Sequence, residues 1–162
     1  MERVSVIGAV PSHSIEIRRA VAGDAREISN VAKASPGAAL WTEQQFLEAA
    51  AGNCSGWVAV QDGRIAGFLF ARIAADEAEV LNLAVAQEIR GRGAGARLLH
   101  AAMEFAREGG AKKLFLEVRE SNAAAIAFYK RAGFEDSGRR KGYYRDPTED
   151  ACVLTRQIKS PF

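Results

Sequence analysis

The stretch LEVRESNAAAIAFYKRAGF, Leu116 to Phe134, decides how this chain folds. It begins inside an apolar run, KLFLEV (Lys113 to Val118), and passes into charge at Glu117, Arg119 and Glu120. An apolar run of this length predicts a strand buried on both faces. Ser121 and Asn122 suit the N-cap of a helix, where a side-chain oxygen accepts an otherwise unpaired amide. Gly133 supplies the stop, because glycine adopts the left-handed conformation that ends helices. The stretch therefore reads strand, cap, helix, stop. Tyr129 lies seven residues after Asn122 on the same helix face, with Ile126 between them. Spacing alone leaves it as a core aromatic beside Ala125, Ile126 and Ala132, or as a phenol aimed at a ligand.

Upstream lies LNLAVAQEIRGRGAGARLL, Leu81 to Leu99, an apolar strand running into a glycine-rich loop. A helix from about Gly93 to Glu108 follows, with Leu98, Leu99, Ala102, Met103 and Ala106 as its apolar stripe. Three anion-binding patterns compete for the loop. A phosphate loop of the Walker type needs Gly-Lys-Ser/Thr, but Gly95 is followed by Ala96 and Arg97. A dinucleotide fingerprint matches as a bare pattern at Gly91-Arg92-Gly93-Ala94-Gly95-Ala96, with Glu117 at the end of the next strand. That fold would open a run of βαβ units, whereas here antiparallel strands come first. The third pattern, Arg-x-x-Gly-x-Gly, fits Arg90-Gly91-Arg92-Gly93-Ala94-Gly95. All three share one mechanism. Glycines let backbone amides approach phosphate, and the helix N-terminus adds positive potential. Arg90, Arg92 and Arg97 are placed to add charge-assisted bonds. The plain alternative is a glycine-softened surface loop with solvated arginines.

Further outward, IEIRRA (Ile15 to Ala20) alternates like a strand. Gly23 and Asp24 open an amphipathic helix through Ala34 with Ile28, Val31 and Ala32 on one face, stopped by Ser35-Pro36-Gly37. Thr42 with Gln45 forms a capping-box pair for a short helix through about Ala51. WVAVQDGRIAGFLFARI (Trp57 to Ile73) holds two strands around the hairpin signal Asp62-Gly63, and Glu77 to Val85 adds a third. FEDSGRR and ACVLTRQI close the chain as two strands, joined by the turn-rich loop GYYRDPTED. The order is β-α-α-β-β-β-α-β-α-β-β. A single α/β domain (α+β) is expected, with a mixed, mostly antiparallel sheet and helices on both faces.

Composition narrows the classes. The 162 residues are 48% hydrophobic and 26% charged, an ordinary globular balance for one domain. A formal net charge of +2 gives no bulk case for nucleic acid or membrane as a partner. No apolar run approaches the ~20 residues of a membrane span. Residues 1–14 lack a convincing cleavage site and read as a poorly ordered leader to the domain at 15–162, with an extra edge strand as the alternative. Cys54 and Cys152 have no metal-ligand spacing, and His13 and His100 lie far apart, so no metal is expected. The cysteines read as small hydrophobes, and the default compartment is cytoplasmic.

LNLAVAQEIRGRGAGARLL and LEVRESNAAAIAFYKRAGF together resemble the GNAT acetyltransferases, and within them the RimI branch of ribosomal-protein-alanine N-acetyltransferases. LWTEQQF (Leu40 to Phe46) resembles that branch's W-S/T-E-x-x-F segment, and RRKGYY before EDACVL resembles its R-R-x-Y-Y…E-D-A stretch. Arg145 stands where the branch usually has proline after the tyrosine pair. The resemblance runs from about Ile15 to Ile158. It implies a GNAT fold and direct acetyl transfer from acetyl-CoA to an amine in a ternary complex. The amine would be the N-terminal α-amine of a protein such as ribosomal protein S18, and the enzyme a monomer or weak homodimer.

The resemblance also implies roles. The strand before the loop would splay at a bulge, freeing backbone groups near Leu83, Ala84 and Val85 for the cofactor. Arg90, Gly91, Arg92, Gly93, Ala94, Gly95 and Ala96 would hold its phosphates, with Asn122 and Tyr129 beside it. Glu117 would be the general base, acting through water, and Tyr129 the acid for the departing thiolate. Without the resemblance, Glu117 reads as a surface glutamate paired with Arg119. Trp41, Tyr143 and Tyr144 would line the peptide groove. Alternatives are a small-molecule amine as acceptor, or a non-catalytic module binding coenzyme A or a dinucleotide.

Overall fold

A computed structural model describes residues 14–52 and 54–160. The chain runs β1 (Glu16–Arg19), α1 (Ala25–Lys33), α2 (Glu43–Ala51), β2 (Ser55–Gln61), β3 (Arg64–Ala74), β4 (Glu77–Val85), α3 (Ala94–Glu108), β5 (Lys113–Arg119), α4 (Ala123–Arg131), β6 (Glu135–Tyr144) and β7 (Glu149–Gln157). This is the expected order. Of the leader assigned to residues 1–14, all but Ser14 lies outside the described residues.

Local chemistry sets the boundaries. Asp62 and Gly63 both take positive φ, as the tight hairpin between β2 and β3 requires. Thr42 accepts the Gln45 amide, and Gln45 Oε1 accepts the Thr42 amide, closing the box that starts α2. Asn122 Oδ1 accepts the Ala125 amide and caps α4, which Gly133 ends at φ +89°.

The seven strands form one sheet in the order β1-β2-β3-β4-β5-β7-β6. Every neighbouring pair is antiparallel except β4 and β5, which α3 connects as a parallel crossover. Two cores lie on opposite faces. On one, Leu98, Leu99, Ala102 and Ala106 of α3 pack against Ala59, Leu69 and Leu114, and α4 joins through Tyr129. On the other, Ile28 and Phe46 of α1 and α2 cover Val58, Phe68 and Phe70. Phe46 meets Phe68 edge-on with centroids 5.3 Å apart.

The two layers differ in reach. The α1–α2 layer covers β2 to β4 and stops there. Strand β5 therefore alternates, with Leu114, Leu116 and Val118 buried and Phe115, Glu117 and Arg119 half-buried. This corrects the reading of KLFLEV as buried on both faces. Phe115 supplies the apolar character on the open side without a helix above it. The tyrosine pair also departs from expectation. Tyr143 and Tyr144 end β6 rather than lying in a loop, because a register shift after Arg140, with Gly142 at φ +59°, lets the strand resume and pair Tyr144 with Glu149.

Asp24 ties β1 to the start of α1. Its carboxylate accepts Arg18 at 2.8 and 2.9 Å and the Val21 amide at 2.8 Å. The Arg18 hydrogen bonds, with that of Val21, hold its acid below the usual carboxylate range despite burial. A depressed folded-state value means stability that is full above the unfolded value and lost as pH falls through the folded one. Asp24→Asn should therefore cost about 1–2 kcal/mol at pH 7, a figure reduced because Arg18 is partly exposed. Denaturant melts should show the gap to wild type closing below about pH 4. A gap that persists at pH 2 would place the loss elsewhere.

Candidate active site

The site begins with an interrupted ladder. β4 and β5 pair only at Glu77↔Lys113, Ala78↔Leu114 and Glu79↔Phe115. Beyond that point they part. The cause is visible on β4, where Phe70 faces Asn82 but Ala71 faces Val80, leaving Leu81 as an extra residue. The bulge resets the pleat. Val80 packs with the α3 core, Leu81 with the α1–α2 core, and Leu83 and Val85 return to the α3 side.

Strand parity then says which backbone groups the gap receives. The Ala86 amide donates to Ala66 O at 2.7 Å, so Ala66 and Ala86 are a hydrogen-bonded pair. Alternation makes Phe68–Ala84 a hydrogen-bonded pair too, and Leu69–Leu83 and Gly67–Val85 non-hydrogen-bonded ones. The amides and carbonyls of Leu83 and Val85 thus point away from β3 into the gap. Ala84 differs from the other two: its backbone belongs to β3 and its side chain to the α1–α2 core.

The glycine loop caps this end of the gap. A 3-10 turn at Gln87–Ile89 leads into Gly91 at φ +78° and Gly93 at φ +83°, conformations that glycine adopts without strain. Gly93 is the N-cap of α3, and the amides of Ala94, Gly95 and Ala96 precede its first intrahelical bond from Arg97 to Gly93. That is an anion-binding arrangement. The three arginines divide. Arg90 Nε donates back to Val85 O at 3.0 Å and braces the loop. Arg97 turns away and donates to Ile15 O, so it does not join the phosphate site expected of it. Arg92 is exposed on the loop between the two glycines.

α4 starts beside the same opening. A Cβ built on Gly95 would come within 3.2 Å of the Phe128 ring, so α3 and α4 meet closely here. A Cβ on Gly37 would lie 2.7 Å from Asn122 Nδ2, so the α1–α2 loop closes against the cap of α4. Buried Asn82 fixes that loop from below, with Oδ1 accepting the Ala39 amide at 3.2 Å and Nδ2 donating to Ala39 O at 3.0 Å. Trp41 packs on Phe46 and Phe70 at 5.2 and 5.7 Å and anchors the loop. Its neighbour Leu40 is 82% exposed.

Glu117 and Tyr129 lie on opposite faces of the sheet. Tyr129 is buried among Phe128 and Phe134, and burial, then the nearby Tyr144, pushes its phenol well above the ordinary value. It stays protonated at any physiological pH. Glu117 faces the open side with its side chain only 8% exposed, and its partner is Arg140, Nε to Oε1 at 2.7 Å, not Arg119. Arg119 instead sits 4.4 Å over the Tyr144 ring and donates to Arg145 O and Pro147 O, holding the β6–β7 turn. The Tyr143 hydroxyl bonds Glu117, which with partial burial raises its phenol. Tyr144 is pushed up to about 12 by burial, then by Glu117 and Tyr143.

A strand pair opened by a bulge, an amide-lined loop above it, and an acid and a phenol on either side form one acyl-transfer arrangement. The model of the acetyltransferase (GNAT) family matches residues 24–134. The chain belongs to the acetyltransferase (GNAT) family. It is 34% identical over 120 residues to the ribosomal protein bS18-alanine N-acetyltransferase of Escherichia coli K12, a match covering 73% of this chain and 81% of the relative. The crystal structure of the ribosomal-protein-S18-alanine N-acetyltransferase from Escherichia coli superposes with a TM-score of 0.81 at 29% identity, covering 92% of this chain and 97% of that one. Ard1 from Thermoplasma volcanium also gives 0.81, at 27% identity over 90% and 99% of the two chains. The GNAT fold expected from the sequence is the fold observed, and the protein is an acetyl-CoA-dependent N-acetyltransferase.

The residues fit that cosubstrate. The amides at the head of α3, with Arg92 beside them, suit a pyrophosphate, and the outward backbone of Leu83 and Val85 suits an amide-bearing arm. Sequence reading missed Arg140 as the partner of Glu117. It also missed Asn82, although a lone amide inside the apolar run LNLAV was a signal. Gly93→Asp should weaken acetyl-CoA binding at least tenfold in calorimetry, while neutral Gly93→Asn weakens it less. Equal losses would show that bulk, not charge against phosphate, governs the position.

Proposed function

We propose that this enzyme acetylates the N-terminal α-amine of a protein, with ribosomal protein bS18 as the acceptor that its relatives' names point to. One observation carries the reading. The carboxylate of Glu117 lies on the part of the sheet face that the α1–α2 layer leaves uncovered, near the exposed Tyr143, a surface suited to an extended peptide. The thioester would enter from the glycine-loop side, so the two substrates meet in the gap from opposite faces.

The chemistry asks little of a base. An α-amine with a pKa of ~8 is roughly one quarter neutral near pH 7.4, against ~0.1% for lysine near 10.4. In the transfer, the amine nitrogen bonds to the acetyl carbon and the carbon–sulfur bond breaks. Glu117 takes a proton from the bound α-ammonium and releases it to water; the attacking nitrogen then gives up a second proton to Glu117, and the sulfur takes a proton from Tyr129. The outward amides of Leu83 and Val85 stabilise the developing oxyanion. Asn122 shapes the cofactor's side of the opening. Trp41 acts indirectly, by anchoring the loop that presents Leu40, while Tyr143 and Tyr144 wall the acceptor side.

A panel of acceptors with acetyl-CoA tests this. Peptides with free N-terminal Ala, Ser or Met should be turned over, with Ala preferred, and the Nα-blocked peptide should not. Turnover confined to polyamines or aminoglycosides would overturn the assignment. In the same assay Glu117→Gln should lose most activity at low pH, where the amine most needs a base. A loss equal at every pH would make Glu117 a binding residue.

A further inference from the structure

The pair between Glu117 and Arg140 has an unusual shape. The carboxylate is on β5 with 8% of its side chain exposed, and the guanidinium comes from β6 with 57% exposed. β7 lies between the two strands. Arg140 is in register with Ala151 and Glu117 with Val153, so the arginine must reach across a whole strand to make the bond. Its guanidinium also stands 5.6 Å from the Tyr143 ring, whose hydroxyl bonds the same carboxylate. Thus Glu117 has one neutral partner and one long, half-exposed cationic partner.

A carboxylate this buried needs a countercharge, and leaving it unpaired is strongly unfavourable. An arriving α-ammonium offers the same charge and the same hydrogen bonds. Both cations cannot hold the carboxylate in the same way, and Arg140 is the one that can leave for solvent at small cost. We infer that Arg140 is a resident stand-in for the acceptor's ammonium: it neutralises Glu117 in the free enzyme, is displaced when the amine binds, and returns when the amine has become a neutral amide. The inference rests on the reading of Glu117 as the residue that meets the acceptor amine.

This makes Arg140 a positioning residue with a distinctive effect. It competes with the substrate for the seat and assists departure of the product, which carries no cation to hold Glu117. Removing it should tighten the acceptor, whereas removing a residue that merely supports Glu117 would weaken it or slow the reaction. Arg140→Gln should lower KM for a peptide with a free N-terminal Ala by about two- to fivefold, the span expected of one half-exposed ion pair. Its kcat should fall less than twofold, and Arg140→Lys should restore the wild-type KM. An unchanged or raised KM in Arg140→Gln would overturn the inference.

Wild-type protein supplies a second test that does not depend on the variant folding. The Arg140 Nε–H resonance should shift on adding that peptide with coenzyme A present, and stay in place with the Nα-acetylated peptide. A stationary signal at saturating free peptide sinks the inference alone, provided the peptide is a substrate. Failure of the peptide to be acetylated at all would instead sink the reading of the acceptor, and this inference with it.

Discussion

The site proposed for this fold follows from one interruption of hydrogen bonding. The parallel ladder of β4 and β5 ends at Glu79–Phe115, two residues before the bulge at Leu81. A continuous ladder would have satisfied the backbone of Leu83 and Val85 within the sheet and left nothing to bind with. The opened ladder places those groups at the C-terminal ends of two parallel strands. There the N-terminus of α3 and the cap of α4 also converge, because each helix follows one of those strands. The anion site, the polar backbone and the protonated phenol are thus gathered by topology, not by long-range coincidence.

The same geometry separates two kinds of electrostatic environment. On the α3–α4 side, burial keeps Tyr129 neutral. On the other side the helical layer ends at β4, and charge is admitted on β5 and β6. Glu117 is held there between Tyr143 and Arg140, and Arg119 spans to Tyr144 and the β6–β7 turn. The sheet is therefore a partition with an opening between β4 and β5, and the proposed base and acid lie on its two faces.

Much of this was legible in the sequence, for reasons that can be named. Element order followed from periodicity and from punctuation at Asp62-Gly63, Thr42 with Gln45, Asn122 and Gly133, each of which the structure uses as expected. The glycine loop read as an anion site without saying which anion, since two patterns fitted it. The gap was not legible from residues at all. VLNLAV is apolar apart from Asn82, and a bulge changes which way side chains face without changing what they are. Three-dimensional partners were hidden too. Arg97 lies beside the glycines in sequence but turns to Ile15, while Arg140 lies beyond α4 and reaches Glu117 across β7. Gly142 read as a loop residue, yet it only offsets a strand that resumes at Tyr144.

The account stands on the outward-facing backbone of β4, and residue-resolved amide exchange measures it directly. On addition of acetyl-CoA, the amides of Leu83 and Val85 should slow markedly, together with those of Ala94 to Ala96. The Ala84 amide, already paired with Phe68, should change little. Unchanged exchange at Leu83 and Val85 under saturating acetyl-CoA, with protection appearing elsewhere, would contradict the claim that the cofactor completes the broken ladder.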